Sequence, residues 1–271
     1  DRGVLFNAPA AADTHTVARH DALPLVCQSA ARGRRHRGDV VRDEPSGVGR
    51  PREFAQVGAE LYGDPSFEAD LRMLRTVLGA TGEIPAGRLC LTFGWGGLLP
   101  ALLAAVAPGL VSRKRSSLDE TLADVRARRV GRVAQRLRAA GAPAAAAEEV
   151  AGALLAGFDP ASPLFDLPVL SEAARSLAAA TRAALDVRPG LEVVVDLAGT
   201  PEAPYYTGLT FSLDAKGGGG AVAGGGRYDR LLGRFGPDAP AVGFCVGLEA
   251  LASAIDSAGA GVPARPFRIA T

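Results

Sequence analysis

The chain has 271 residues, enough for one large domain or for a domain carrying a sizeable insertion. An apolar share of 48% and a charged share of 22% are ordinary for a globular protein, and 30 Lys+Arg against 29 Asp+Glu leave a formal charge of +1, which excludes the strongly basic balance of a general nucleic-acid binder. Cys27, Cys90 and Cys245 are widely spaced with no CxxC pair, and there are 3 histidines, so a metal centre or a disulfide framework is not expected and a reduced, cytoplasmic setting fits.

Residues 1–30 give weak periodicity, and the first of them, Asp1–Asn7, lack the charged start and apolar core of a signal peptide and read like the middle of a domain. Residues 31–38, Ala-Arg-Gly-Arg-Arg-His-Arg-Gly, form a basic run expected to be a solvated loop, since no interleaved aromatic supports a nucleic-acid contact. Asp39–Pro45 reads as a strand entering the turn-rich loop Ser46–Pro51. Glu53–Leu61 alternates with period two, and Gln56, Gly58 and Glu60 share its polar face.

A helix is predicted after Asp64-Pro65-Ser66, with Phe67, Leu71, Leu74 and Leu78 on one stripe and Gly79 or Gly82 at its end. Leu89–Phe93 reads as a strand and Leu98–Val106 as a short buried helix, with Pro100 tolerable only in its first turn. From about 112 to 186 the composition shifts to Ala, Arg and Leu at helical spacing, which predicts an all-helical insertion. Strand signals return at Leu191–Leu197, Tyr205–Leu213, Gly220–Gly224 and Ala241–Val246, and a helix follows from about Leu248 to Ala258. The longest apolar stretches are Ala-rich helices too short for a membrane span, so no membrane association is expected. The pattern implies an α+β fold on a mainly antiparallel sheet flanked by helices, with a discontinuous body over 1–111 and 187–262, a helical insertion over 112–186 and a tail over 263–271.

The chemistry-bearing residues gather around that polar face. Gln56 and Glu60 point the same way and can receive an ammonium group, while Tyr205, Tyr206 and Tyr228 supply hydroxyls and ring faces. Arg42 and the Arg50-Pro51-Arg52 turn can present guanidinium forks to phosphate or carboxylate. Taken singly, Arg42-Asp43-Glu44 reads more readily as a surface ion-pair cluster and Gln56 and Glu60 as a solvated sheet face; as a set the residues suit a zwitterionic amino acid.

The same residues carry a resemblance. Val41-Arg42-Asp43-Glu44-Pro45 through Gly49-Arg50-Pro51-Arg52-Glu53-Phe54-Ala55-Gln56-Val57-Gly58-Ala59-Glu60 resembles motif 2 of histidyl-tRNA synthetases and their paralogues. Tyr205-Tyr206-Thr207-Gly208 resembles the family's histidine-binding motif. Gly225-Gly226-Arg227-Tyr228-Asp229 and Gly243-Phe244-Cys245-Val246-Gly247-Leu248-Glu249 resemble its later glycine-rich segment and motif 3. The departures matter as much: Pro201-Glu202-Ala203-Pro204 stands where the family places a catalytic arginine, and Ala250 where motif 3 supplies an ATP-gripping one. An arginine at such a place would neutralise charge developing on the α-phosphate. Residues Pro9–Thr16 retain little of the family's early motif, the run 31–38 looks like extra sequence, and no anticodon-binding segment follows motif 3 in this sequence.

The resemblance therefore implies a class II synthetase-like fold with no catalytic residues and no cofactor, of the kind that serves as a regulatory subunit of short-form ATP phosphoribosyltransferase in histidine biosynthesis. It implies a homodimer assembled with the short catalytic subunit in a hetero-oligomer, histidine as effector, no tRNA, and a ligand pocket formed by Gln56, Glu60, Tyr205, Tyr206, Tyr228 and Arg42. The competing reading is a divergent paralogue that adenylates an amino acid for another acceptor; it is favoured by Arg42 and Glu44 and opposed by Pro201 and Ala250.

Overall fold

A computed structural model describes residues 4–6, 16–19, 32–42, 53–110, 115–156, 167–196, 205–217 and 221–259. Among the described residues, nine strands form one sheet: β1 (Val4–Phe6), β2 (Thr16–Arg19), β3 (Arg32–Arg42), β4 (Glu53–Tyr62), β5 (Leu89–Trp95), β6 (Glu192–Val195), β7 (Leu209–Ala215), β8 (Ala221–Arg227) and β9 (Ala241–Gly247). Their order across the sheet is β1-β2-β3-β4-β9-β8-β7-β5-β6. Every neighbouring pair is antiparallel except β5–β6, which runs parallel at the edge. The α+β class and the mainly antiparallel sheet expected from the sequence are present.

The helices are α1 (Phe67–Ala80), α2 (Leu98–Val106), α3 (Arg115–Arg126), α4 (Val130–Ala139), α5 (Ala144–Ala156), α6 (Pro168–Val187) and α7 (Leu248–Ser257). The stripe predicted for α1 holds: Leu71, Leu74 and Leu78 are buried, and the Thr81 hydroxyl donates to the Val77 carbonyl at the helix end at 3.0 Å. Between α3 and α4 the chain turns at Arg128, a non-glycine residue at φ 52°.

Period-two alternation gives the sheet two unlike faces. Leu89, Leu91 and Phe93 of β5, Leu209, Phe211 and Leu213 of β7, and Val242, Phe244 and Val246 of β9 are all buried on one of them. They pack against α1, α2 and α6 in one hydrophobic cluster. Val125, Val133, Leu137, Val150 and Leu154 of α3, α4 and α5 belong to that same cluster, so the helical segment extends the core of the sheet. The opposite face carries His36, Gln56, Gly58, Glu60, Gly243, Cys245, Gly224, Gly226, Thr210 and Ser212 in register across β3, β4, β9, β8 and β7.

Two expectations need correction. Residues 32–38 of the basic run, read as a loop, lie within β3: Arg32 pairs with Tyr62 and Val41 with Glu53 along an uninterrupted antiparallel ladder. Arginine has no strong preference against strands, and ten consecutive cross-strand pairs outweigh local polarity. Second, β7 starts at Leu209; Tyr205–Gly208 form a turn that leads into it.

Candidate amino-acid site

The site forms where β4, β8 and β9 meet on the polar face. Glu60 points from β4 across its neighbour β9, where its direct partner is Gly243. A Cβ at Gly243 would collide with the Glu60 carboxylate, so glycine there is what lets the carboxylate lie flat across the sheet. Gly225 and Gly226 of β8 are likewise pressed against neighbouring backbone, at Gly243 and Leu209 respectively. Gly224, Gly226 and Gly243 are thus a close-packed floor without side chains, while Gly225 faces the helix-covered side with Phe211 and Phe244.

Over this floor stand three tyrosines. The Tyr228 hydroxyl donates to Glu60 Oε2. Ring centroids are 4.8 Å apart for Tyr205–Tyr206, 6.0 Å for Tyr205–Tyr228 and 6.5 Å for Tyr206–Tyr228, with the last two pairs edge-on.

Backbone hydrogen bonds fix these rings in place. The Thr207 amide donates to the Arg227 carbonyl at 2.8 Å, the Asp229 amide to Thr207 Oγ1 at 3.0 Å, and the Tyr228 amide to the Ala241 carbonyl at 2.8 Å. Asp229 Oδ1 accepts from the Ala241 amide at 3.0 Å. On the other side, the Gly96 amide donates to the Gly208 carbonyl at 2.7 Å, and a Cβ at Gly96 would strike the Tyr206 backbone. The Tyr-Tyr-Thr-Gly turn is therefore held from β5, β8 and β9 together.

Arg227 has a structural task. It is 7% exposed, and its Nε and Nη2 reach Asp70 of α1 at 2.8–3.0 Å, while Nη1 reaches Asp229 at 3.0 Å and Nη2 the Ser66 carbonyl at 2.8 Å. This clamps the first turn of α1 to the end of β8, next to Tyr228. Burial pushes the Asp70 carboxyl above its usual range, and the Arg227 guanidinium pulls it back.

Burial dominates the electrostatics of the pocket. It raises the Glu60 carboxyl from an ordinary 4.5 to about 7, against the downward pull of the Tyr228 hydrogen bond. Burial raises Tyr205, Tyr206 and Tyr228 as well, and takes Tyr62 to about 12, with the Glu60 charge adding to that rise. The tyrosines stay neutral donors, and Glu60 sits at the point of balance between acid and carboxylate near neutral pH.

Of the residues singled out in the sequence, Glu60, Tyr205, Tyr206 and Tyr228 come together. Gln56 shares the Glu60 face but lies four residues away, roughly 13 Å along the strand at about 3.3 Å per residue. Arg42 ends β3 in register with Thr16 of β2, a further four residues beyond Gly38, the partner of Gln56. Arg50, Arg52, Glu44, Pro201 and residues 9–15 lie outside the described residues. Ala250 lies in the first turn of α7, beside Gly247. Sequence reasoning missed Tyr62, Cys245 and His36; continuing the period-two face from Gly58 and Glu60 reaches Tyr62, and the same rule applied to β9 gives Cys245.

A mainly antiparallel sheet with one face buried by helices and the other a glycine floor walled by tyrosines and a carboxylate is a class II synthetase-like body. Residues 8–251 match the family model described as Histidyl-tRNA synthetase. The chain is 37% identical over 239 residues to an Anaeromyxobacter protein named ATP phosphoribosyltransferase regulatory subunit, covering 85% of this chain and 68% of that one. A protein of the same name from Bordetella petrii is 34% identical, over 82% of this chain and 57% of its own length. The chain thus spans between roughly half and two thirds of the relatives it matches. Among solved structures, a Bacillus halodurans ATP phosphoribosyltransferase regulatory subunit/histidyl-tRNA synthetase superposes with a TM-score of 0.69 at 21% identity, covering 84% of this chain and 60% of that one. The ATP phosphoribosyl transferase (HisG:HisZ) complex from Thermotoga maritima gives a TM-score of 0.62 at 19% identity, over 82% and 75% of the two chains; both likenesses establish the fold. The chain belongs to the histidyl-tRNA synthetase-like family, among the ATP phosphoribosyltransferase regulatory subunits.

Proposed function

We propose that this chain senses histidine on behalf of a short-form ATP phosphoribosyltransferase catalytic subunit and performs no adenylation itself. The observation that carries the reading is a carboxylate and tyrosine cluster that is kept while Ala250 stands where the resemblance expects an ATP-gripping arginine. Glu60, Tyr205, Tyr206 and Tyr228 are assembled over a glycine floor. Ala250, in the first turn of α7, offers no cation at the place where the resemblance expects an arginine. An amino acid can bind such a site, but charge growing on an α-phosphate would lack the neutralisation that an arginine at 250 would supply.

Spacing divides the work between the two strand residues. Glu60, half-buried beside Tyr228, takes an N–H donor at one end, and Gln56, roughly 13 Å along the strand, serves the opposite end. Histidine, with N–H groups on both its ammonium and its imidazole, suits a site with acceptors at two ends. In this reading the working form is a homodimer within a cytoplasmic hetero-oligomer with the catalytic subunit, residues 112–186 are an insertion in the synthetase-like body, and no tRNA is bound. Histidine acts by biasing that assembly between two states.

The test pairs calorimetry with an exchange assay on the full chain. Expected are a saturable heat with L-histidine and no ATP–pyrophosphate exchange above background. Robust exchange would establish the adenylating alternative, and no heat up to millimolar histidine would leave an eroded pocket on a scaffold.

A further inference from the structure

On the polar face of the sheet, one side chain beside the pocket comes from the basic run. His36 of β3 pairs with Gly58 of β4, and its half-buried imidazole crosses onto the neighbouring strand: a Cβ at Gly58 would strike His36 Cε1 and Nε2. On that face of β4, Gln56 and Glu60 flank Gly58, each about 6–7 Å away along the strand. The ring therefore occupies the gap between the two residues that the amino-acid reading places at opposite ends of the ligand. Across β4 the partner of Gly58 is Cys245 of β9, so His36, Gly58 and Cys245 form one row on the polar face.

We propose that His36 is a specificity-determining residue of the amino-acid site, its ring forming the side wall that sets how bulky a ligand can lie between Gln56 and Glu60. The proposal rests on the reading of this face as an amino-acid pocket. Glycine at 58 is the complementary half of the device: it lets the ring sink to the level of the sheet, where any larger residue would hold it away. A wall of this kind discriminates by shape, and shape differences of a methylene or more change affinity by about 10- to 200-fold.

Gly58→Ala is a poor probe, because the new methyl would also meet the Phe244 carbonyl of β9. The clean variants are His36→Ala, which removes the wall, and His36→Phe, which keeps its bulk without ring nitrogens. Isothermal titration of the full chain with L-histidine, L-phenylalanine and L-tryptophan gives the ratio of affinities for each protein, with thermal unfolding as the check on folding. His36→Ala is expected to lower the preference for histidine over tryptophan by at least about tenfold, and His36→Phe to keep it near the wild-type value. A wild-type ratio in folded His36→Ala overturns the inference while leaving the amino-acid site standing. Loss of the ratio in His36→Phe as well overturns it by showing that ring nitrogens, not bulk, do the work. A wild type that binds none of the three amino acids overturns both readings together.

Discussion

Glu60 is where chemistry and stability meet. Its carboxyl is raised from 4.5 to about 7 chiefly by burial. Between those values the folded chain holds a proton that the unfolded chain has released. Stability from this group is therefore complete below about pH 4.5 and is lost as pH rises toward 7, with a slope of about 1.4 kcal/mol per pH unit at most. Glu60→Gln keeps an acceptor for Tyr228 and removes the titration, so urea unfolding should show the variant gaining on the wild type between pH 5 and pH 8. A constant difference across that range would mean that Glu60 is ionised throughout. The same variant should weaken histidine binding roughly 10- to 100-fold, since a charged acceptor in a buried site is replaced by a neutral one. At this scale the sequence was informative: period two placed Gln56 and Glu60 on one face, and the paired tyrosines named the ring cluster. It did not show that Gly224, Gly226 and Gly243 form a close-packed floor, because close backbone approach leaves no mark on local periodicity.

At the level of elements, the pocket depends on a clamp that touches no ligand. The Arg227–Asp70 pair joins β8 to the first turn of α1, with side-chain exposures of 8% and 3%. Removing Asp70 leaves the buried Arg227 guanidinium with Asp229 as its remaining carboxylate, so Asp70→Ala should cost about 3 kcal/mol in urea unfolding. The exposed pair Arg75–Glu68 on the same helix provides the control: Arg75→Ala should cost less than about 1 kcal/mol. Equal costs would refute the assignment of Arg227 as the clamp. The helices themselves were readable, since α1, α2 and α7 each follow a 3.6-residue stripe or an unbroken apolar run. The edge of the sheet was not. A segment with Arg32, Arg34, Arg35 and Arg37 carries no apolar alternation, and only its register with β4 makes it a strand. His36 was overlooked for the same reason.

For the whole molecule, sensing requires that two binding events share one free energy. If histidine favours one state of an assembly with the catalytic subunit, the subunit must alter histidine affinity by the same factor that histidine alters subunit affinity. Binding alone is visible first: at about 100 times its Kd, histidine adds about 2.7 kcal/mol to stability, which for a chain of this size raises Tm by roughly 5–10 °C, and Glu60→Gln should abolish about half of that rise or more. Coupling is the stronger requirement. Titration of histidine into the chain alone and into the chain saturated with catalytic subunit should give Kd values differing by about 5- to 150-fold, and the subunit Kd measured with and without saturating histidine should differ by the same ratio. Glu60→Gln should bring both ratios toward one while leaving the subunit Kd without histidine near the wild-type value, because Glu60 faces Tyr228 and the glycine floor inside the pocket. Two ratios equal to one in the wild type would leave a histidine-binding protein with no regulatory consequence. Two unequal ratios would break the closed thermodynamic cycle and mean that histidine also binds the catalytic subunit.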